Sequence, residues 1–192
     1  MGDIRKQKKK YDTPRFPWRT DIIQSELKLI GQYGLRNKHE LWRHETILSK
    51  FRGNARSLIG KTPEERKKME EELLARLKRL GVLPETAVLD DVLDLTVEDI
   101  LERRLQTIVL RKSLAKTAQQ ARQLITHGHI TIEKQRIKIP GYLVTKPQET
   151  QIEYMAQSSL ANPSHPLRQT IAVAPQAAAG PERGGAEEEE EG

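Results

Sequence analysis

Apolar residues recur at three- and four-residue spacing through most of the first 110 positions, which predicts a run of amphipathic helices. Residues 21–33 carry the stripe Ile22, Ile23, Leu27 and Ile30, with Asp21 in N-cap position and Gly31 and Gly34 as the stop. Residues 37–59 repeat the pattern with Leu41, Leu48, Phe51, Ala55 and Leu58. Thr62-Pro63-Glu64-Glu65 predicts a capped helix start with proline in the first turn. That helix runs to Leu80 on an inner face of Leu73, Leu74, Leu77 and Leu80, and Gly81 ends it. Residues 89–95 read as a short link. Thr96 and Asp99 then open a helix striped by Val97, Ile100, Leu101, Leu105 and Ile108. Thr117-Ala118-Gln119-Gln120 opens another, which Gly128 closes, with Ala118, Ala121, Leu124 and Ile125 facing inward.

The period then changes from helical to two. His129-Ile130-Thr131-Ile132 alternates, as does Arg136-Ile137-Lys138-Ile139, and Glu133, Lys134 and Gln135 lie between them. This is a hairpin pattern with a short turn, and residues 150–154 supply a further strand. The expected class is α+β, with an N-terminal helical region and a small domain of two helices packed on a short antiparallel sheet. The chain divides into an extended basic arm (1–20), a helical region (21–100), the small domain (101–160) and a tail (161–192). Pro14 and Pro17 exclude a helix in the arm, and its composition predicts disorder in water. The tail holds prolines, alanines and glycines and then five consecutive glutamates at 187–191, so it is expected to be disordered and acidic.

Charge adds a functional direction. The 192 residues carry 33 Lys plus Arg against 27 Asp plus Glu, a net charge of +6, and the charge is segregated. Residues 103–138 hold nine basic groups and one acidic, and residues 1–20 hold seven against two. Residues 61–102 are acidic, with seven against twelve. Two basic blocks around an acidic helical segment point to a polyanionic partner. Aromatics are 4% of the chain, too few for a single-strand binder built mainly on stacking platforms. There is no cysteine, which excludes disulfides, thiolate zinc sites and cysteine nucleophiles. No apolar run approaches the ~18 residues of a membrane span, and the basic start lacks the apolar stretch of a secretory signal.

The basic blocks supply the candidate binding groups. In the arm these are Lys6, Lys8, Lys9, Lys10, Arg15 and Arg19, interleaved with Phe16 and Trp18. On the outer face of the helix over 37–59 they are Arg43, Arg52 and Arg56. Arg104 and Arg111 stand seven residues apart and are expected on one face of a single helix, outside its apolar stripe. Arg122 projects from the next helix, and His127, His129, Lys134 and Arg136 come from the helix end and hairpin. Arg103, Lys112 and Lys116 belong to the same block and are read with it as RNA-binding. Gathered on one side, these groups form a cradle for phosphate, which the planar arginine fork binds bidentately. Asp90, Asp91 and Asp94 are clustered but read as a solvated cap. His39 and His44 read as ordinary surface or interface residues. No metal, cofactor or small-molecule substrate is expected.

Leu101-Glu102-Arg103-Arg104-Leu105, then Val109, Arg111 and Thr117, and Ala121-Arg122-Gln123-Leu124-Ile125 before Gly128, resemble the S-four RNA-binding domain. The basic arm, the preceding helices and the sequence around Pro14 and Arg19 are similar to the S-four family of small-subunit ribosomal proteins, of the archaeal and eukaryotic cytoplasmic type. The resemblance covers about residues 1–160. It implies a non-enzymatic, cytoplasmic ribosomal protein that binds the 5′ domain of small-subunit rRNA at a helix junction early in assembly. It also implies a place near the channel by which mRNA enters, beside small-subunit protein S-five. The family's RNA-facing positions fall on Arg104, Arg111, Arg122, His127 and the basic hairpin residues. The cysteine zinc site of some bacterial relatives is absent, and the hairpin turn lacks the Asn-Gly common in the domain. Two alternatives belong to other classes. One is a stand-alone S-four-domain RNA-binding or RNA-modification-associated protein, which would need a catalytic domain that residues 1–100 do not resemble. The other is a protein-binding helical module, which leaves the basic hairpin unexplained.

Overall fold

In the computed structural model, residues 9–173 are described, apart from the side chains of 63–65 and 172–173. Helix α1 (Thr20–Tyr33) starts one residue before Asp21, with Arg19 at the cap; Asp21 sits in the first turn. Gly31 lies within it, and Gly34 ends it in left-handed conformation at φ 60°. A β-carbon on Gly34 would stand 2.6 Å from the Ala118 Cβ, so this position requires glycine for both its backbone and its packing. Helix α2 (Lys38–Ile59) is capped by the Asn37 side chain, which accepts from the Glu40 N–H. Helix α3 (Pro63–Leu80) begins on Pro63 and stops at the left-handed Gly81. Thr62 occupies its cap position, and the Glu65 side chain lies outside the described residues.

The segment read as a link contains a helical turn, α4 (Asp91–Asp94). Leu89, Val92 and Leu95 repeat every three residues and are all buried against α2 and α3. Asp91 is exposed and accepts from the Val88 N–H at 2.7 Å, so this member of the acidic cluster caps the turn.

The expected single helix after Thr96 is two. Thr96 and Asp99 do form a capping box, opening α5 (Val97–Glu102), and α6 (Leu105–Arg111) follows after a break at Arg103 and Arg104. The break has a tertiary cause. Arg104 bridges Leu143 in antiparallel fashion, the Leu105 N–H donates to the Tyr142 carbonyl, and the Val144 N–H donates to the Arg103 carbonyl. Backbone groups of an unbroken helix could not face that loop. Arg104 and Arg111 therefore do not share a helical face.

Helix α7 (Ala118–His127) is capped by Thr117, which accepts from the Gln120 N–H. The Gln120 side chain accepts from the Lys116 N–H, one residue earlier than in the standard box. The sheet comprises β1 (Ile130–Ile132), β2 (Gln135–Arg136) and β3 (Ile152–Tyr154) in the antiparallel order β2-β1-β3. The hairpin turn is two residues, Glu133 and Lys134, both at positive φ (51° and 66°), where primed turns place Asn-Gly. A short helix, α8 (Lys146–Glu149), precedes β3. One core lies between α2, α3 and α4, and another under α6, α7 and the sheet. Tyr33, Leu35, Leu41 and Leu101 form a third, smaller cluster.

Ordered chain extends past both expected ends. Tyr11 packs on His39 and Trp42, with ring centroids 4.9 and 6.0 Å apart, and the Asp12 N–H donates to Thr46 Oγ1. The arm is thus fastened to α2 from its described beginning. At the other end, a 3-10 turn (Ser159–Ala161) buries Leu160, and α9 (Pro166–Val173) buries Ile171. Arg168 donates to the Ala161 carbonyl and lies over the Tyr154 ring. Leu160 and Ile171 are isolated apolar residues in a proline-containing stretch, so periodicity gives no signal for the elements they anchor. Lys6, Lys8 and the glutamates at 187–191 lie outside the described residues.

Ala121 is fully buried on α7, under the second core. Ala121→Leu is expected to destabilise the chain by about 1–3 kcal/mol through overpacking. Thermal melting followed by circular dichroism checks this, and an unchanged midpoint would show that α7 has room to spare.

Candidate nucleic-acid interface

The basic residues of the small domain fall into two groups with different environments. The inner group is tied up by the protein itself. Arg104 is 1% exposed, and its Nη2 donates to Glu40 Oε2 at 2.9 Å. Arg122 approaches the other oxygen of the same carboxylate at 2.6 Å and also reaches Gln106 Oε1. One glutamate on α2 therefore holds arginines from the start of α6 and from α7. Gln106, also buried, donates to the carbonyls of Gly34 and Ala118 at 2.9 Å each. This polar knot joins the helical region to the small domain.

Burial is the largest influence on Glu40 and opposes its charge, yet hydrogen bonds from Arg122 and Arg104 outweigh it and hold the carboxyl at about 2. Burial pushes the Arg104 guanidinium downward and Glu40 opposes this; arginine stays charged in either case. His44, 5% exposed, is pushed down to about 4, first by burial and then by Arg104. It is a buried neutral histidine rather than the surface or interface residue expected.

Arg103 donates to Glu149 at 2.8 Å and to the Val144 carbonyl. Arg111 is exposed but pairs with Glu102. Lys112 donates to the Glu149 carbonyl, and Arg52 to the Leu95 carbonyl, so both stitch elements together. The buried Arg104 is a correction to the sequence reading: it does not lie outside the apolar stripe, because the chain leaves the helix there and turns the side chain inward.

The outer group is arranged around α7 and the hairpin. His127 and Arg136 are exposed, and His129 is half-buried with its Nδ1 at 2.8 Å from Ser158 Oγ. The two imidazoles are 6.4 Å apart. Between them Gly128 takes φ 78°, and the Arg136 guanidinium lies across it, so close that a β-carbon there would stand 2.3 Å from Arg136 Nε. Gly128 thereby lets one residue stop a helix and seat an arginine. Lys134 tips the hairpin, and Lys116 is exposed just before α7. Lys116, Lys134 and Arg136 make no salt bridge among the described residues, nor do Arg43 and Arg56 on α2, or Lys9, Lys10 and Arg15 in the arm. Arg19 makes a 3.6 Å contact with Asp21, both side chains being largely exposed. The exposed polar residues Gln119, Gln123 and Thr126 continue the outer surface of α7.

Sequence reasoning missed Glu40 and Gln106, which set the geometry of this region. The available signal was a glutamine inside an apolar stripe, between Leu105 and Ile108. Among the described residues no cluster of three or more His, Asp or Glu could hold a metal ion, and no helix is long and apolar enough to cross a membrane.

Residues 103–149, from the helix break to the end of α8, match the S4 domain family. Across the longer chain, the small ribosomal subunit protein uS4 of Hyperthermus butylicus is 55% identical over 161 residues, covering 84% of this chain and 92% of that protein. The chain belongs to the uS4 family. The uS4 of Thermoplasma acidophilum is 47% identical over 195 residues, covering all of this chain and 98% of its own length. That of Thermoplasma volcanium is 49% identical over 174 residues, covering 89% and 87%. A uS4-family chain is a structural protein of the small ribosomal subunit and not an enzyme. The relatives are of the archaeal type expected from the arm and helices.

Proposed function

We propose that this chain binds small-subunit rRNA at a helix junction of the 5′ domain, supports early assembly of the subunit in the cytoplasm, and lies near the channel by which mRNA enters, beside protein S-five. Family membership supports the ribosomal setting. The observation that carries the RNA surface is the outer group: Lys116 before α7, His127 at its end, and Lys134 and Arg136 on the hairpin are all exposed, and none of them is engaged by an internal carboxylate. Arg103, Arg104, Lys112 and Arg122 support that surface by holding α6, α7 and the segment from Val144 to Glu149 in place, while Arg52 ties α2 to the Leu95 carbonyl and Arg111 pairs with Glu102. The S4-like domain (101–160) reads RNA shape, the helical region (21–100) contacts rRNA through Arg43 and Arg56 and neighbouring proteins through its acidic side, and the arm adds phosphate contacts.

The test is filter binding to a small-subunit rRNA junction over a range of salt. With Lys9, Lys10, Arg43, Arg56, Lys116, Lys134 and Arg136 on phosphates, log K should fall by about 5–6 per unit of log salt, at 0.7–0.9 per contact. Lys134→Ala and Arg136→Ala should each lower the slope by about one, with melting nearly unchanged. A flat salt response overturns the phosphate surface. Co-sedimentation with small subunits in a gradient checks the assembly role.

A further inference from the structure

We propose that the turn at 16–18 is a stacking site for an unpaired nucleobase, with Trp18 as its platform and Phe16 beside it. The proposal rests on the rRNA reading above and adds a site to it outside the S4 domain.

The chain has two tryptophans and two phenylalanines. Trp42 is half-buried and donates through Nε1 to Glu26 at 2.8 Å, and Phe51 is in the core. Their counterparts are placed in the opposite way: Trp18 is 86% exposed and Phe16 58%. These two rings are held out by the backbone. On one side Tyr11 and Asp12 fasten the chain to α2; on the other α1 begins at Thr20. Between them Pro14 and Pro17 restrict φ, and the Arg19 N–H closes a turn onto the Phe16 carbonyl at 3.4 Å. A ring on a turn anchored at both ends loses little conformational freedom when a partner covers it.

The surrounding charge selects the partner. Arg15 and Arg19 flank the rings in the chain, and Arg15 lies over Phe16 at 5.5 Å, while Lys9 lies over Tyr11. The Arg19–Asp21 contact is long and largely exposed, so it neutralises little. A π-face bracketed by cations matches a splayed base with phosphates on both sides, the form in which single-stranded loops and bulges of RNA are bound. A neutral apolar protein surface would not use the two arginines.

In the full-length Trp42→Phe variant, Trp18 is the sole tryptophan. Its emission should be red-shifted in the free protein, and binding of small-subunit rRNA should quench it and shield it from acrylamide. On the unmodified chain, rRNA should protect Trp18 from N-bromosuccinimide oxidation read by mass spectrometry, which covers the case in which Trp42→Phe folds poorly. Trp18→Ala should weaken rRNA binding about tenfold while Trp18→Phe restores most of it, at unchanged melting temperature. If the chain binds rRNA but Trp18 stays as accessible as before, the stacking site is wrong and the rRNA reading stands. If Trp18 is shielded only when other small-subunit proteins are added, it is a protein contact and the proposal fails. If no rRNA binding is seen at all, the functional reading fails and the stacking site falls with it.

Discussion

Glu40→Ala is expected to destabilise the protein by about 3–5 kcal/mol, the usual penalty for leaving a buried charge without its partner. Arg104 is the reason. Its side chain is 1% exposed, Glu40 is its only carboxylate among the described residues, and its Nε and Nη1 have no partner of their own. Arg122 loses the same carboxylate but is 19% exposed and can turn to water. For a chain of this size the loss corresponds to a fall in melting temperature on the order of 10 °C. Because the carboxylate ties α2 to α6 and α7, binding to a folded rRNA junction should weaken with it, although Glu40 itself is acidic. The double variant Glu40→Ala/Arg104→Met should regain much of the stability, since a buried pair replaced by apolar groups is often neutral or better. Thermal and urea melts of both singles and the double measure the coupling. A Glu40→Ala chain that melts like the wild type would mean that Arg104 finds water after all.

Acid should destabilise the chain in two windows. His44 titrates near 6.5 when exposed and is held at about 4 in the folded chain by burial, reinforced by Arg104. Above 6.5 it is neutral in both states and has no effect. Between 6.5 and about 4 the unfolded chain binds a proton there and the folded chain does not, so stability falls as pH falls. Glu40 behaves as a depressed acid: its contribution is complete above 4.5 and is lost as pH drops toward about 2. At about 1.4 kcal/mol per pKa unit, each window is worth roughly 3 kcal/mol at most. Urea midpoints at several pH values resolve the two. His44→Gln should flatten the profile between pH 7 and about 4.5 and leave the lower window in place. A wild-type midpoint constant over that upper range would show that His44 protonates without cost.

The sequence by itself determined what depends on neighbours in the chain. Helix stops at Gly34, Gly81 and Gly128 were legible because each needs the left-handed conformation that glycine allows, at φ 60°, 73° and 78°. The start at Pro63, the caps at Thr96 and Thr117, and the change to alternation after Gly128 are local in the same sense. The segregation of charge was legible for the same reason, and so were the motifs of the S-four resemblance. The hairpin was visible, but its turn length was not, because Glu133 and Lys134 enter positive φ without the residues that announce it.

Tertiary structure alone decided which cations face solvent. A local pattern identifies Arg104 and Arg122 as cations, but not that a carboxylate 64 and 82 positions earlier will reach them. The same applies to the break at Arg103 and Arg104, where an apolar stripe continues in sequence but loop 140–144 captures the backbone. It applies also to the arm and to α9, whose few apolar side chains become ordered only on surfaces built by α2 and β3. The underlying reason is that capping and periodicity act over a few residues, whereas the desolvation that holds Arg104 and His44 inward comes from packing between segments distant in the chain.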